Sequence, residues 1–144
     1  MEGLTIQWLI IFIIMAVIIW YFTRSRRRIS SQLETTIALL REIDTNLKVI
    51  NQHRQNADST KKFRNASGKR AVEKMDHFTP ELKKRVDEMY RIINDMNEAI
   101  ESAKKTKNTA MLHSLSFDNL EKLINQNRAE MIEWLREDYE SNKK

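Results

Sequence analysis

Residues Leu4 to Phe22 read LTIQWLIIFIIMAVIIWYF, and no charged side chain falls between Gly3 and Thr23. At ~1.5 Å per residue a helix of this length matches the ~30 Å hydrocarbon core of a bilayer. The reading is a transmembrane helix, with residues 1–23 as the anchor. Thr5 and Gln7, its polar side chains, lie in the first turns within reach of headgroups. Trp8 at one end and Trp20 with Tyr21 at the other supply the aromatic belts of a span.

The flanks orient it. Met1, Glu2 and Gly3 precede the run, whereas Arg24, Arg26, Arg27 and Arg28 follow it at once. Positive residues beside a span stay cytoplasmic, so the amino-terminal end is expected outside and the rest of the chain in the cytoplasm. A cleaved signal peptide would place basic residues before the apolar run and small residues after it, the reverse of this order. A buried hydrophobic hairpin or core helix is the remaining alternative.

Two glycines, one proline and an abundance of Glu, Lys, Arg, Leu, Ile, Met and Asn point to long helices and away from a turn-rich β fold. The expected fold class is all-α, a single transmembrane helix followed by a cytoplasmic coiled-coil or helical-bundle region. Without cysteine there is no disulfide frame and no thiolate metal site. The formal net charge of +5 is concentrated: residues 24–28 carry +4 and residues 51–80 carry +4, while 29–50 and 81–144 are each −1. Anionic headgroups attract nearby Lys and Arg by ~1 kcal/mol each, so Arg24, Arg26, Arg27 and Arg28 are the expected lipid contacts.

From residue 29 the pattern becomes periodic. Leu33, Leu40 and Leu47 take heptad position a, with Ile29, Thr36, Ile43 and Ile50 at d, and Ile37 and Leu39 widen the stripe. Residues 29–50 are thus an amphipathic heptad helix. Its apolar face must meet a second copy or a later helix of the same chain, because three heptads alone are marginal in water.

Residues 51–78 read as a polar, basic linker. Between Asn51 and Arg70 only Ala57, Phe63 and Ala66 are apolar, too few to offset an ordering entropy of ~1 to 2 kcal/mol per residue. Mobility is expected near Ser59 to Arg70. Lys61, Lys62, Arg64, Lys69 and Arg70 surround Phe63 as a basic cluster, read as solvated, as a lipid contact or, least favoured, as a nucleic-acid contact with one stacking ring.

Thr79, Pro80 and Glu81 announce a second helix as N-cap, first helical residue and dipole partner. Leu82, Val86, Met89, Ile93, Met96, Ile100 and Ala103 then keep one a/d seam within a heptad helix over 79–113, expected to weaken after Ala103. A C-terminal amphipathic helix over 114–144 is expected to start at Ser116 as cap. Phe117, Leu120, Ile124, Met131, Trp134 and Leu135 form its inward face, Leu123 flanks it, and Asn127 interrupts it.

Convergent chemistry is absent from the pattern. His53, His77 and His113 are far apart, lack helical metal-site spacing and are expected at the surface. The two glycines, Gly3 and Gly68, make no phosphate loop. No catalytic, cofactor-binding or metal residue is assigned, no cofactor or small-molecule substrate is expected, and the chain is read as a non-enzyme. The expected function is a membrane-anchored adaptor or scaffold that oligomerises or recruits a helical protein through Leu33, Leu40, Ile43, Leu47 and Ile50, with the α-helical seams Leu82 to Ile100 and Leu120 to Leu135. The alternatives are an accessory single-span subunit of a larger transport or secretion complex and, more weakly, a nucleic-acid tether.

Overall fold

A computed structural model describes residues 2–71 and 74–143, and within these every regular element is helical: α1 (Glu2–Gln55), α2 (Ala66–Ala71), α3 (Pro80–Thr106), α4 (Thr109–His113) and α5 (Asp118–Ser141). Side chains at 1–4, 28–30, 69, 71–73 and 144 lie outside the described set, so the expectations for Leu4, Arg28, Ile29 and Lys69 do too.

Anchor, arginine block and first heptad segment form one helix of 54 residues. The chain has neither Gly nor Pro between Gly3 and Gly68, so nothing in it terminates the helix at Thr23. From Thr23 to Gln55 the axis advances ~48 Å.

The inward face of α1 is rotated from the expected a/d seam. Thr36, Leu39, Ile43, Asn46, Ile50 and His53, again spaced by three and four, are the buried residues, with Glu42 and Val49 beside them. Leu33, Leu40 and Leu47 are only half-buried. Periodicity in apolar residues missed this because the buried residues off the expected seam include Glu42, Asn46 and His53, which are polar and find partners within the chain.

Those partners lie largely in the segment expected to be mobile. Asn46 Oδ1 accepts from the Arg64 amide at 2.7 Å while Asn46 Nδ2 donates to the Arg64 carbonyl at 2.9 Å. From the opposite side Asn97 does the same to Phe63, at 2.8 and 2.9 Å. His53 Nε2 lies 2.7 Å from the Lys61 carbonyl. Residues 61–64 therefore run between α1 and α3 with side-chain amides in place of neighbouring strands, and the backbone's need for partners is met without a ladder. Phe63, 3% exposed, stacks near His53 and Phe117 at centroid distances of 5.9 and 6.0 Å. Where mobility was expected, residues 61–64 are packed: few apolar residues are present, but two amide clamps and one buried ring hold the backbone between α1 and α3.

α3 follows its sequence pattern. Thr79 Oγ1 accepts from the Leu82 amide at 3.2 Å, and Leu82, Val86, Met89, Ile93, Ile100 and Ala103 are buried, with Tyr90 added and Met96 half-buried. The helix does not continue to residue 113. Lys107 turns left-handed (φ 52°) with its amide on the Ala103 carbonyl, and Asn108 Oδ1 accepts from Ala110 to begin α4. α5 starts one residue later than a Ser116 cap would place it, at Asp118, and no side chain caps it. Phe117 is pinned against His53, with 5.2 Å between centroids, and Arg54 reaches Asp118 and Glu121 at 3.1 and 2.6 Å in the first turn.

The ion pairs set the helix directions. Arg54 meets Glu121 and Asp44 meets Arg128, so α1 and α5 are antiparallel; Arg85 meets Glu130 and Met89 meets Asn127, so α3 and α5 are too. α1 and α3 therefore ascend together, and α5 returns toward the end of the body nearest the arginines. A single cluster of buried residues joins all three helices.

Candidate membrane-surface site

Among the described residues, the first half of α1 packs against no other helix. Its large apolar side chains are open to the surroundings, from Ile18 at 44% to Phe12 at 80% exposed, and the helix is long and apolar enough to cross a membrane, with a mean hydropathy of 2.3. An apolar cylinder of this kind is far larger than the patches that monomeric soluble proteins leave open. Thr23 satisfies its hydroxyl within the helix, donating to the Ile19 carbonyl at 2.7 Å.

Where the apolar run ends, the Arg24 guanidinium lies 5.1 Å from the Trp20 ring centroid. This cation–π contact holds a charge at the aromatic belt without a carboxylate. Arg24, Arg26 and Arg27 are exposed and form no ion pair among the described residues.

The residues expected to form a protein interface lie inside the body. Ile43, Ile50, Leu82, Val86, Met89, Ile93, Ile100, Leu120, Ile124 and Met131 are at most 3% exposed. Leu33, Leu40, Leu47, Met96, Trp134 and Leu135 are half-buried. In this conformation the chain's own helices cover the seams, so the surface offered outward is a different one. Its apolar part includes Ile132 and Tyr139, 42% and 64% exposed, on the half of α5 that returns toward the arginines.

The histidines divide three ways. His113 is at the surface, 2.7 Å from Asp58. His53 is 4% exposed, contrary to expectation, because its ring packs against both Phe63 and Phe117 in a three-ring cluster. His77 is half-buried against Phe78 and Trp134, with centroids at 4.2 and 4.6 Å, and its Nε2 lies 2.9 Å from Thr36 Oγ1. Burial pushes its pKa below the ordinary 6.5.

Glu42 is the buried carboxylate of the body. Its two oxygens accept from the Tyr90 hydroxyl at 2.8 Å and the Ser67 amide at 3.0 Å, which ties α1 to α3 and to the start of α2. Burial, with Glu42 alongside, pushes the Tyr90 phenol far above its usual range. In the connector, Lys62 pairs with Glu101, which holds that carboxyl below its usual range, and the one aromatic of the basic cluster, Phe63, is enclosed and offers no stacking face. Asn46 and His53, which repeat every seven residues from Leu39 at the g positions beside the expected seam, were the signal that could have located this scaffold. Comparison with protein-family models, curated proteins and solved structures finds no match for this chain.

Proposed function

We propose that this chain is a single-pass, membrane-anchored helical adaptor or scaffold, with Leu4 to Phe22 in the bilayer, the amino-terminal end outside, and a helical bundle from residue 31 onward at the cytoplasmic surface. One observation carries the reading: α1 runs unbroken from the apolar segment into the packed body. A flexible tether would leave the body free to tumble, whereas a continuous helix fixes the height and rotation at which it is presented. Arg24, Arg26 and Arg27 at the junction support the orientation, since basic residues beside a span are retained on the cytoplasmic side. Self-association or recruitment of a helical protein falls to the body's outer surface, because the seams are occupied by the chain itself.

Proteinase protection in sealed vesicles, combined with native mass in mild detergent, tests this. The body is expected to be digested only when the cytoplasmic face is accessible, and the intact species to carry extra copies or a partner. Extraction into alkaline buffer without detergent, or a strictly monomeric and partner-free product, overturns it.

An accessory subunit of a larger membrane complex gains weight from the same packing. With the body's apolar seams closed, the span becomes the largest apolar surface left open, and a neighbouring membrane helix is one way to cover it. Replacing Leu4 to Phe22 with poly-Leu separates the readings: retained function supports a simple anchor, and lost function supports a span that is itself the interface.

A further inference from the structure

We infer that Arg24 and Arg27 of α1, together with Arg70 of α2 and Lys74 just beyond it, form one basic groove that binds the phosphate of an anionic phospholipid headgroup. The inference rests on the membrane-anchor reading and adds two residues that come from the connector. It is drawn from helical register. Trp20, Thr23, Arg24 and Arg27 line a depression at the end of the apolar run. Ser31 and Gln32 line the next with Lys74 and Asp76, and Glu34, Thr35 and Ala38 line a third with Arg70 and Lys74.

Trp20, Arg24, Arg27, Ser31, Thr35 and Ala38 succeed one another by three or four residues, so they occupy a single face of α1. Arg26, two positions after Arg24, falls away from it. The depressions are therefore stacked along one stripe that climbs from the bilayer surface, and the chain places Arg70 and Lys74 on that stripe and not around the rest of the helix.

Charge and height agree. Arg24, Arg27, Arg70 and Lys74 form no ion pair among the described residues, whereas Asp76 is engaged by Lys83 at 3.3 Å, leaving Glu34 as the opposing carboxylate along the stripe. Ser31 stands ~6 Å along the axis beyond Arg27 and ~12 Å beyond Thr23. The headgroup layer is ~5 to 7 Å deep on each side of the hydrocarbon core, so Lys74 at that level lies within about one Debye length of it. Arg24 and Arg27 meet the phosphate plane, Lys74 stands within a Debye length above it, and Arg70, beside Glu34 and Thr35 at ~17 to 18 Å beyond Thr23, continues the positive stripe away from the surface. The connector's basic residues thus have a use that follows from its being folded back along α1.

The test uses the full chain in bilayer nanodiscs of phosphatidylcholine with and without phosphatidylglycerol, followed by native mass spectrometry of the lipid retained. Wild type is expected to retain phosphatidylglycerol in preference to phosphatidylcholine. The double variant Arg70→Gln with Lys74→Gln is expected to lose retention by roughly 30-fold at low salt, from two cations near the surface, and by less as salt rises. Lys104→Gln with Lys107→Gln, at the far end of the body, is the control and is expected to change little. Equal retention by both double variants overturns the inference. So does displacement of the lipid by inorganic phosphate at matched concentration, which assigns the groove to free anions. Alkaline extraction of the same preparations separates the two levels: a chain that leaves the membrane refutes the anchor, and one that stays but shows no effect of Arg70 and Lys74 refutes only the groove.

Discussion

Asn46 and Arg64 are paired as two residues of adjacent strands would be, although one contributes a side chain and the other its backbone. The Asn46 amide accepts from the Arg64 N–H at 2.7 Å and donates to the Arg64 carbonyl at 2.9 Å. Asn97 repeats the arrangement on Phe63 from α3, so a four-residue stretch is gripped from both flanking helices. Asn46→Ala removes both bonds and leaves two partly buried backbone groups unsatisfied, an expected cost of ~1 to 3 kcal/mol. Chemical denaturation followed by circular dichroism should show that loss, and trypsin should cut at Lys61, Lys62 and Arg64 sooner than in wild type. Unchanged cleavage would mean that the buried Phe63 ring, Asn97 and His53 hold the connector without Asn46.

Gly68 marks the closest approach of α2 to α3. A Cβ there would lie 2.5 to 2.6 Å from the Tyr90 ring, and Tyr90 cannot retreat, being 9% exposed and hydrogen-bonded through its hydroxyl to Glu42. Gly68→Ala is expected to destabilise by ~1 to 3 kcal/mol through overpacking. Combined with Tyr90→Ala, which removes the obstructing ring, it should cost less than the two single changes added together. Additive losses in the denaturation midpoints would place the clash elsewhere.

Two parts of this molecule were legible from residue types alone, for opposite reasons. The helix long and apolar enough to cross a membrane declares itself by composition, and α3 by seven apolar positions in strict register behind a Thr-Pro-Glu start. α1 beyond the arginines was legible as a helix but misread in rotation, since its apolar a positions are half-buried while Asn46 and His53 face inward beside Thr36, which the seam did include. Their burial depends on partners 8 to 41 positions away, Lys61, Arg64 and His77, and no local pattern encodes such pairings. The same long-range dependence hid the order of the connector. Arg70 was read within a basic cluster, solvated or in contact with lipid, and Lys74 only as part of the 51–78 linker; their alignment with Arg24 and Arg27 exists only once the chain folds back along α1.

His77 makes stability depend on pH. The Thr36 hydroxyl donates to the Gln32 carbonyl at 2.9 Å, so the ring's Nε2–H donates to Thr36 and Nδ1 carries the free lone pair, buried without a partner. Burial disfavours a proton there most strongly; the Lys74 backbone, Asp76 and Asp138 oppose that effect, and Lys83 adds to it. The folded chain thus holds His77 neutral below the ordinary value of 6.5, where the unfolded chain takes up a proton. Its contribution is complete above pH ~6.5 and fades as pH falls below that, before the Glu121 and Glu101 carboxyls, both held low by cation partners, begin to protonate. Wild type should therefore denature more easily at mildly acidic pH, and His77→Asn should show a shallower slope. Identical slopes would remove His77 as the cause.

Asn127 is the polar residue sealed between α3 and α5, fully buried, yet its contacts are weak ones. Its Nδ2 lies 3.6 Å from the Met89 sulfur, a poor acceptor, and its Oδ1 accepts from Arg85 Nε at 3.4 Å while that guanidinium already pairs with Glu130. Desolvation of the amide is thus only partly offset. Asn127→Leu fills a similar volume, removes that burden and leaves Arg85 its carboxylate, so stability is expected to stay level or rise by up to ~1 kcal/mol. The change should also erase the one polar mark that fixes how α5 sits along α3, since an apolar seam tolerates neighbouring registers. Disulfide trapping between α3 and α5, with cysteine pairs placed in register and one turn out of register, reads this directly: wild type should form the first alone, and the Leu variant both. A loss of more than ~1 kcal/mol on introducing Leu would show that the two long contacts stabilise the seam after all.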